Sequence, residues 1–539
     1  MIGAIRKWPV AVQTLLLLVA LYSLYGILGQ FFSGILPIHE WRKTDSLSIA
    51  LNYAKGAPFL EPQTQWISAH GNRNAAAEFP IIYYLLGNLW KIVGYHEWIS
   101  KALSLSLLFM SISLFSMVME NVFKSKQKAL LFSMMLASSP VLIFYSDSIL
   151  PNIFSFSFLL LGAFGVFHFL KSKQVFWLGF LTLFLGLAVL LKITALIAIL
   201  TFGGSWLLYS VLFARHSFKT QAYYYVCFLF SFFFILTVTY LWYHYAIEYN
   251  KAMGSDIFST TIRPIWEVDA ETRKIIWEKF WRHMLPELFH PSILLISLAF
   301  FFFAIWKKWL STFQIIIVIV GFLGCVSYFI LWFWVFDVHD YYLIEVLYFP
   351  LILFAFSLQV FHQVKISRGN KWGLASILIG LFFLQAISYA HWSQGKENII
   401  TKNTPFVSEF VKGNWGYFHF YHKEHLGQLQ AHVKKLRKII PVNDTIICLS
   451  DPSPNIQLYT LNRIGYSQFS FHEPFQDEST QLAELIQKGA NFALIITDAD
   501  WTPRKDWEMF LKHPLFHKKN VRLFDLRPYK QKNKVAQPI

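Results

Sequence analysis

The sequence predicts a mainly α-helical, polytopic membrane protein with a small α/β domain at its C-terminal end. Of the 539 residues, 55% are hydrophobic and only 14% are charged, whereas a soluble chain carries about 25% charged residues. Apolar runs recur almost without interruption up to residue 391, and the mean hydropathy is +0.43. The smaller domain is predicted because the sequence becomes polar and His-rich from residue 392.

Eleven apolar runs have the length of a membrane-spanning helix. A helix needs about 20 apolar residues to cross the hydrocarbon core of a bilayer. The predicted spans are 9–32, 98–121, 129–146, 150–170, 175–191, 193–214, 222–244, 290–306, 313–335, 341–362 and 372–391.

Basic residues predict how these spans are oriented. When the runs alternate from a cytoplasmic N-terminus, the short loops that fall inside contain Lys and Arg but no Asp or Glu, as the positive-inside rule requires. This pattern predicts a multi-pass membrane protein with a cytoplasmic N-terminus and an extracytoplasmic C-terminal domain. The bases of these loops are Arg6, Lys7, Lys124, Lys126, Lys128, Lys171, Lys173, Arg215, Lys219, Lys307, Lys308, Lys365, Arg368 and Lys371.

The net charge of +16 follows in part from this orientation. A nucleic-acid-binding protein would cluster its bases, with interleaved aromatics, on one face of a soluble domain. Here the bases are spread over six loops, so the sequence predicts a lipid bilayer as partner and no nucleic acid.

Three long segments fall on the outer side: 33–97, 245–289 and the tail 392–539. The first contains an apolar piece from Phe79 to Trp90 that is short for a span, and it predicts an interfacial or re-entrant helix. The chain is therefore divided into a transmembrane domain, 1–391, and an outer domain, 392–539.

The tail shows the pattern of a small α/β domain. A helix is predicted at 424–440 and strands at 445–449, 492–497 and 521–524. Shorter helices are predicted at 456–461 and 482–489, the second ending at Gly489, a usual helix stop. Asp498 and Asp500 follow a strand, where two acids are more often a turn than a metal site.

The segment from His39 to Asp45 is the most unusual part of the chain. It holds two acids, two bases, a His and a Trp just beyond the first apolar run. Charged groups beside a membrane cavity indicate a functional site. Other charged residues also fall at the outer ends of helices, namely Asp147, Lys192, Asp337, His339, Asp340 and Glu345. Because these charged residues gather at one level of the membrane, the sequence favours a reaction at the outer interface over a transport path across the bilayer.

A family resemblance is carried by several motifs in order. After His39–Asp45 come Phe79-Pro80-x-x-Tyr83-Tyr84, Ser139-Pro140-x-x-x-Phe144-Tyr145, Leu187-Ala188-x-Leu190-Leu191-Lys192 and His339-Asp340-Tyr341-Tyr342. Over about residues 1–390 the chain resembles the GT-C superfamily of membrane glycosyltransferases. The most similar groups are the bacterial family-39-like proteins, related to protein O-mannosyltransferases and lipid A aminoarabinose transferases.

The resemblance implies an enzyme that moves a sugar, with inversion, from a polyprenyl-phosphate donor to a protein, lipid or glycan acceptor. It implies a location in the bacterial inner membrane, with the C-terminal domain in the periplasm, and a carboxylate base in the first outer loop. Relatives often begin this loop with Asp-Glu; here the pair is His39-Glu40, so Glu40 takes the acidic role. Asp45 is its rival, because it lies about one helical turn beyond Arg42 and shares a face with it.

The donor phosphate is assigned to cations and hydrogen-bond donors. Arg42 offers a bidentate fork, and the other candidates are Lys192, His339, Tyr341 and Tyr342. Aminoarabinose transferases carry a Lys just before the Pro of the interfacial segment, but this chain has Glu78-Phe79-Pro80, which makes Glu78 a further candidate acid. Asp147, Asp337 and Asp340 complete the candidate acids.

No cofactor is expected to be required. A divalent ion at Asp337, His339 and Asp340 is the weaker alternative, since some GT-C oligosaccharyltransferases use one. The three Cys residues show no metal spacing. The four His residues of the early tail are interpreted as solvated helix faces: His419, His422, His425 and His432.

Two other functions fit the same sequence. A flippase or transporter of lipid-linked sugars would need polar residues at the middle of the membrane, and few are present there. A non-catalytic assembly protein of cell-envelope glycan synthesis would use the tail as its binding module. In that case, substitution of Glu40, Arg42 or Asp45 leaves its phenotype intact.

Overall fold

The computed structural model describes residues 8–68, 70–213, 215–258, 262–364, 368–396, 406–470, 478–497 and 505–530. The chain divides into two compact units. The first unit comprises Met1–Ser33, Ser100–Tyr243 and Thr261–Trp415, and the second comprises Gly34–Ile99, His244–Thr260 and Gly416–Ile539.

Within the part that the structure describes, every regular element of the first unit is a helix. Short 3-10 turns and one π-turn join its helices. The helices that lie wholly or partly in this unit are Val10–Leu24, Glu97–Phe123, Lys126–Leu136, Pro140–Tyr145, Pro151–Ser172, Val175–Leu191, Ala195–Phe213, Arg215–Met253, Ala270–Lys279, Leu285–Leu288, Pro291–Trp306, Thr312–Leu331, Tyr348–Val360, Arg368–Ser393 and Glu409–Glu424.

Within the described residues, six helices are long and apolar enough to cross a membrane. Two bent helix pairs raise this to eight if each is one span; they are Ala270–Leu288 with Pro291–Trp306, bent by 76°, and Asp340–Val346 with Tyr348–Val360, bent by 46°. The predicted polytopic helical class is thus confirmed, whereas the count of eleven spans stays a prediction.

One predicted span, 129–146, consists of two helices. Lys126–Leu136 ends before a short break, and Pro140–Tyr145 begins with its proline in the first turn. Proline cannot donate a backbone hydrogen bond, and inside a continuous helix its ring would clash with the carbonyl of Leu136. The apolar run therefore continues through a break that hydropathy does not reveal.

Close helix packing in the first unit depends on glycine. The helices Pro151–Ser172 and Val175–Leu191 form a hairpin in which Gly165 faces its partner. A methyl group at Gly165 would lie 2.9 Å from Phe180 Cδ1 and 3.0 Å from Leu181 Cβ. Since ordinary van der Waals contact needs more room, the absent side chain sets the distance between these helices.

The second unit contains two helices from the predicted outer loop. They are Glu40–Ala54 and Ile81–Val93, and the 13 residues of the latter make it shorter than a typical span. The segment predicted to be interfacial is therefore helical, and its position in the membrane stays a prediction. The two helices meet at Gly87, where a Cβ atom would lie 2.6 Å from the backbone oxygen of Ala50.

A five-stranded sheet forms the other half of the second unit. Its strands are β1 Thr445–Cys448, β2 Gly465–Ser467, β3 Ala490–Ile496, β4 Pro514–Lys518 and β5 Val521–Asp525, in the order β2-β1-β3-β5-β4. β1 pairs in parallel with β2 and β3, while β5 pairs antiparallel with β3 and β4.

Helices Leu426–Ile439, Ile456–Leu461 and Glu478–Gln487 accompany the sheet. Apolar side chains from the strands pack with Leu482, Ile486 and Trp507 in one core. All three predicted strands are present, but β2 and β4 were missed because β2 has three residues and β4 is largely exposed. Asp498 and Asp500 lie outside the described residues.

The predicted outer loop and the tail are joined within the second unit. The Ile67 N–H donates to Gly465 O at 2.8 Å, and the Gly465 N–H donates to Gln65 O at 3.1 Å. This bridge extends the sheet beyond β2. The boundary drawn at 391/392 from composition differs from this division, because composition cannot show that residues 34–99 pack with the tail.

Candidate active-site groups

The helix Glu40–Ala54 begins at an unusual backbone bend. Ile38 and His39 both have a φ of 58°, in the left-handed region that non-glycine residues seldom adopt. His39 is the N-cap, and its side chain makes no capping hydrogen bond. Glu40 follows in the first turn, where the helix dipole favours a carboxylate.

Glu40 is paired with a histidine from the tail. The carboxylate oxygen Oε1 of Glu40 lies 2.7 Å from Nδ1 of His422. The two side chains are 15% and 16% exposed, so both keep access to solvent. His422, predicted to lie on a solvated helix face, is instead half-buried against the candidate base, a contact between residues 382 positions apart.

Arg42 forms an ion pair with the carboxylate of Glu78. Its Nη2 donates to Glu78 Oε2 at 2.5 Å and lies 3.4 Å from the Tyr83 hydroxyl. Glu78 is the acid that stands where aminoarabinose transferases carry a Lys. The residue that replaces this Lys, Glu78, thus forms an ion pair with Arg42.

Asp45 lies in the interior of the second unit and is 2% exposed. The Asn455 side-chain amide donates to Asp45 Oδ1 at 2.7 Å, while Asn455 Oδ1 accepts from the backbone N–H groups of Gln65 and Trp66. Burial raises the pKa of Asp45 to about 7, because Arg42 and Asn455 offset only part of the desolvation.

Asn455 was missed in the sequence. It lies 410 positions from Asp45, and an isolated Asn in a polar tail carries no local signal of such a contact. A second buried acid, Asp451, accepts backbone hydrogen bonds from Ser453 and Gln457 at 3.0 and 2.7 Å. Its pKa is raised to about 6 by burial.

The other predicted phosphate ligands lie in the first unit, where they form a cation–aromatic group. Lys192 caps the helix Val175–Leu191, and its Nζ lies 4.8 Å from the centre of the Tyr342 ring. The rings of Tyr341 and Tyr342 are stacked at 5.1 Å, and His339 lies 5.3 Å from Tyr341. Of the five predicted phosphate ligands, this unit thus brings together four.

A buried carboxylate lies beside this group. Glu345 accepts hydrogen bonds from the Asn152 amide and the Thr194 hydroxyl, each at 3.1 Å. Thr194 follows Lys192 by two residues, and Glu345 belongs to the 3-10 turn Asp340–Val346 that carries the tyrosines. These bonds hold the turn and the end of the lysine-bearing helix in register.

The remaining candidate acids of the first unit have partners of their own. Asp147 lies 3.4 Å from Lys101 Nζ, and Asp337 lies 2.5 Å from Lys279 Nζ. Asp340 accepts a hydrogen bond from the Tyr145 hydroxyl. Because each is paired with a lysine, we interpret Asp147 and Asp337 as structural residues.

Two solved structures share the fold of this chain over nearly their whole length, and both are of ArnT from Cupriavidus metallidurans. The complex with undecaprenyl phosphate has a TM-score of 0.50 and 12% identity, covering 97% of this chain and 99% of that chain. The apo state has a TM-score of 0.53 and 12% identity, covering 98% and 100%.

No model of a known protein family and no curated protein sequence matches the chain. At 12% identity the likeness to ArnT is one of fold.

Proposed function

We propose that this protein is a glycosyltransferase that moves a sugar from a polyprenyl-phosphate donor to an acceptor at the outer face of the bacterial inner membrane. The observation that carries the proposal is the ArnT fold over 97% of the chain, because one of those ArnT structures holds undecaprenyl phosphate. The acceptor is a protein, a lipid or a growing glycan, and the sugar a hexose or pentose.

Glu40 is the general base in this proposal. A base must reach the proton that it removes, and the Glu40 side chain is 15% exposed whereas Asp45 is 2% exposed. His422, at 2.7 Å, fixes the orientation of the Glu40 carboxylate. The larger exposed fraction therefore favours Glu40 over Asp45 as the base, whereas the sequence did not favour either acid.

Asp45 is a positioning residue in this proposal, because it holds the helix that carries Glu40. Its carboxyl holds Asn455, and Asn455 in turn binds the backbone of Gln65 and Trp66 and lies 3.2 Å from the Ser48 hydroxyl. These contacts tie the helix Glu40–Ala54 to the tail. Loss of Asp45 therefore displaces the helix on which Glu40 lies.

The proposed reaction is a direct displacement. Glu40 takes the proton of the acceptor hydroxyl, and the acceptor oxygen forms a bond to the anomeric carbon of the sugar. The bond from that carbon to the phosphate oxygen breaks, and its electron pair stays on the polyprenyl phosphate. The configuration at the anomeric carbon is inverted.

Lys192 is the proposed ligand of the donor phosphate, with hydrogen bonds from Tyr341, Tyr342 and His339. A cation stabilises a departing phosphate because it neutralises the developing negative charge. Arg42 is the alternative ligand of the donor phosphate, and phosphate must then share its guanidinium with Glu78.

The test is a transfer assay with a panel of polyprenyl-phosphate sugars and the purified full-length protein. We expect Glu40→Gln to lower kcat by about 100-fold or more, the usual contribution of a general base. His422→Gln should lower it less, because the base itself remains. Glu61→Gln, an exposed acid of the same unit, is the matched control and should keep full activity.

Full activity of Glu40→Gln would show that the base is another group. If the wild type transfers no sugar from any donor but moves the sugar-lipid across proteoliposome bilayers, the protein is a flippase. If neither activity is found and the Glu40, Arg42 and Asp45 variants keep their cellular phenotype, it is an assembly protein.

A further inference from the structure

Three buried side chains of the first unit bring metal-ligating atoms together. They are His283, Glu287 and Asp340, and one donor atom from each lies within 4.8 Å of the other two. Their exposed fractions are 9%, 3% and 3%. Of the residues suggested by sequence for a metal, only Asp340 belongs to this cluster.

The local backbone explains the pairing of His283 with Glu287. These residues are four positions apart, so they lie on one face of a helix. His283 belongs to a π-turn, Phe280–Met284, that separates the helices Ala270–Lys279 and Leu285–Leu288. Such turns are often found at functional sites in helices. Asp340 approaches from a different element, the start of the turn Asp340–Val346.

The spacing fits a cation after a small closure. A point equidistant from three atoms separated by 4.8 Å lies about 2.8 Å from each, and nitrogen and oxygen bind Zn²⁺ at about 2.0–2.2 Å. Rotation of the side chains by less than about 1 Å makes up the difference.

The charges of the cluster call for a positive partner. Glu287 lies 3.5 Å from His283 Nδ1 and within hydrogen-bonding reach of the Asp340 carboxyl, which can donate to it only when protonated. A second carboxylate, Asp340, faces the same space. Buried carboxylates are costly unless they are paired or bind a metal.

The outer contacts orient the donor atoms as in a metal site. The Asn414 amide lies 3.1 Å from His283 Nε2, which leaves Nδ1 toward Glu287. Asp340 is held by the Tyr145 hydroxyl. Metal-binding His and carboxylate side chains are ordinarily fixed by such second hydrogen bonds.

We propose that His283, Glu287 and Asp340 bind one divalent transition-metal ion. One imidazole and two carboxylates suit Zn²⁺ and Mn²⁺. The ion is structural, because its ligands are buried, and it connects the π-turn to the turn that carries Tyr341 and Tyr342. The site does not depend on the proposed transferase activity.

The test measures bound metal on the full-length protein in detergent. The protein is stripped with a chelator, equilibrated with ZnCl₂ or MnCl₂, desalted and analysed by mass spectrometry for metal. We expect about one equivalent of one ion on the wild type. Glu287→Gln and Asp340→Asn should retain about tenfold less. Glu278→Gln, in an exposed pair with Arg282 on the same segment, should bind like the wild type.

Thermal unfolding gives a second measurement that does not need a stable variant. The metal should raise the Tm of the wild type and of Glu278→Gln, because a ligand that binds only the folded state stabilises it. Wild-type protein that retains neither zinc nor manganese and shows no Tm shift would overturn the proposal. The two carboxyl groups then share a proton.

Discussion

At the residue scale, burial decides what each acid near the start of the helix Glu40–Ala54 can do. Asp45 is enclosed and hydrogen-bonded by Asn455, whereas Glu40 meets His422 at the edge of the second unit. Five positions along one helix thus separate a partly exposed carboxylate from an interior one. This difference, and not the sequence motif, assigns the roles proposed for them.

The first residue-scale prediction concerns the pH dependence of stability. The pKa of Asp45 is raised to about 7 in the folded protein and is about 3.9 in an unfolded chain. The folded state therefore holds an extra proton between these values, and its stability falls as the pH rises from 4 through 7, by up to about 4 kcal/mol.

Asp45→Asn mimics the protonated acid and removes this dependence. We expect the Tm of the wild type, measured in detergent, to fall relative to that of Asp45→Asn between pH 5 and pH 8. The raised pKa of Asp451 acts in both proteins, and its charge also contributes to the raised pKa of Asp45 that this comparison measures. Parallel Tm curves for the two proteins would contradict the burial argument.

A second residue-scale prediction concerns Lys55. Burial is the main cause that lowers its pKa to about 8, and the nearby guanidinium groups of Arg73 and Arg463 contribute to the same shift. Its Nζ donates to Asn462 Oδ1 at 2.8 Å, which is a neutral acceptor. At pH 8, the uncharged fraction of the Lys55 amine is therefore larger than that of an ordinary lysine.

We expect Lys55 to react with an amine-acylating reagent at pH 8 about tenfold faster than a lysine with the usual pKa of about 10.4, because its roughly 100-fold larger uncharged fraction is partly offset by the lower nucleophilicity of a less basic amine. Peptide mass spectrometry after brief labelling measures the rates. Arg73→Gln should slow the reaction by removing a neighbouring charge. An unchanged rate in that variant contradicts the electrostatic cause.

Single residues were predicted unevenly from the sequence. Glu40, Arg42 and Asp45 were found because acids and bases at a membrane exit are rare. Their partners His422 and Asn455 were not, since each lies about 400 positions away and neither type is unusual in a polar segment. The cluster of His283, Glu287 and Asp340 was missed because its third ligand comes from another element.

At the element scale, packing between helices depends on the absence of a side chain at Gly87. A methyl group there would lie 2.6 Å from the Ala50 carbonyl oxygen and 2.6 Å from Tyr53 Cβ. Both obstacles belong to the backbone or its first side-chain atom, so neither can rotate away.

We expect Gly87→Ala to lower the free energy of unfolding by about 1–3 kcal/mol, as overpacking usually does. Thermal or denaturant unfolding in detergent measures the change. Gly179→Ala is the control, because a Cβ atom there meets nothing within 4 Å and alanine is the better helix former. Equal stability of the two variants contradicts close packing at Gly87.

Elements were predicted well where one local pattern determines them. The strands β1, β3 and β5 and the helix Ile456–Leu461 follow from short apolar runs bounded by polar residues. The break between Leu136 and Pro140 was not predicted, because hydropathy averages over it although proline is visible in the sequence. Bends between helix pairs also carry no hydropathy signal.

At the scale of the whole molecule, the orientation in the membrane is the prediction that rests most directly on sequence. Bases without acids occupy the six loops assigned to the cytoplasm. The positive-inside rule relates this bias to topology.

Fusions to alkaline phosphatase test the orientation, because this enzyme is active only outside the cytoplasm. We expect activity for a fusion after Ile539 or after Asp256 and none for a fusion after Lys124 or Lys173. β-Galactosidase fusions at the same positions should give the opposite pattern and serve as the control. A reversed pattern means that a span was miscounted.

The bridge between Trp66 and Gly465 has a consequence for biosynthesis. The indole of Trp66 donates to the Ser470 hydroxyl, a residue 404 positions later in the chain. At a synthesis rate of about 5–20 residues per second, the early segment exists for roughly 20–80 seconds before its partner strand is made. The second unit therefore completes its fold only after residue 470 has been made, and a ribosome that stalls before that point leaves the region around Trp66 as an open binding surface for chaperones and proteases.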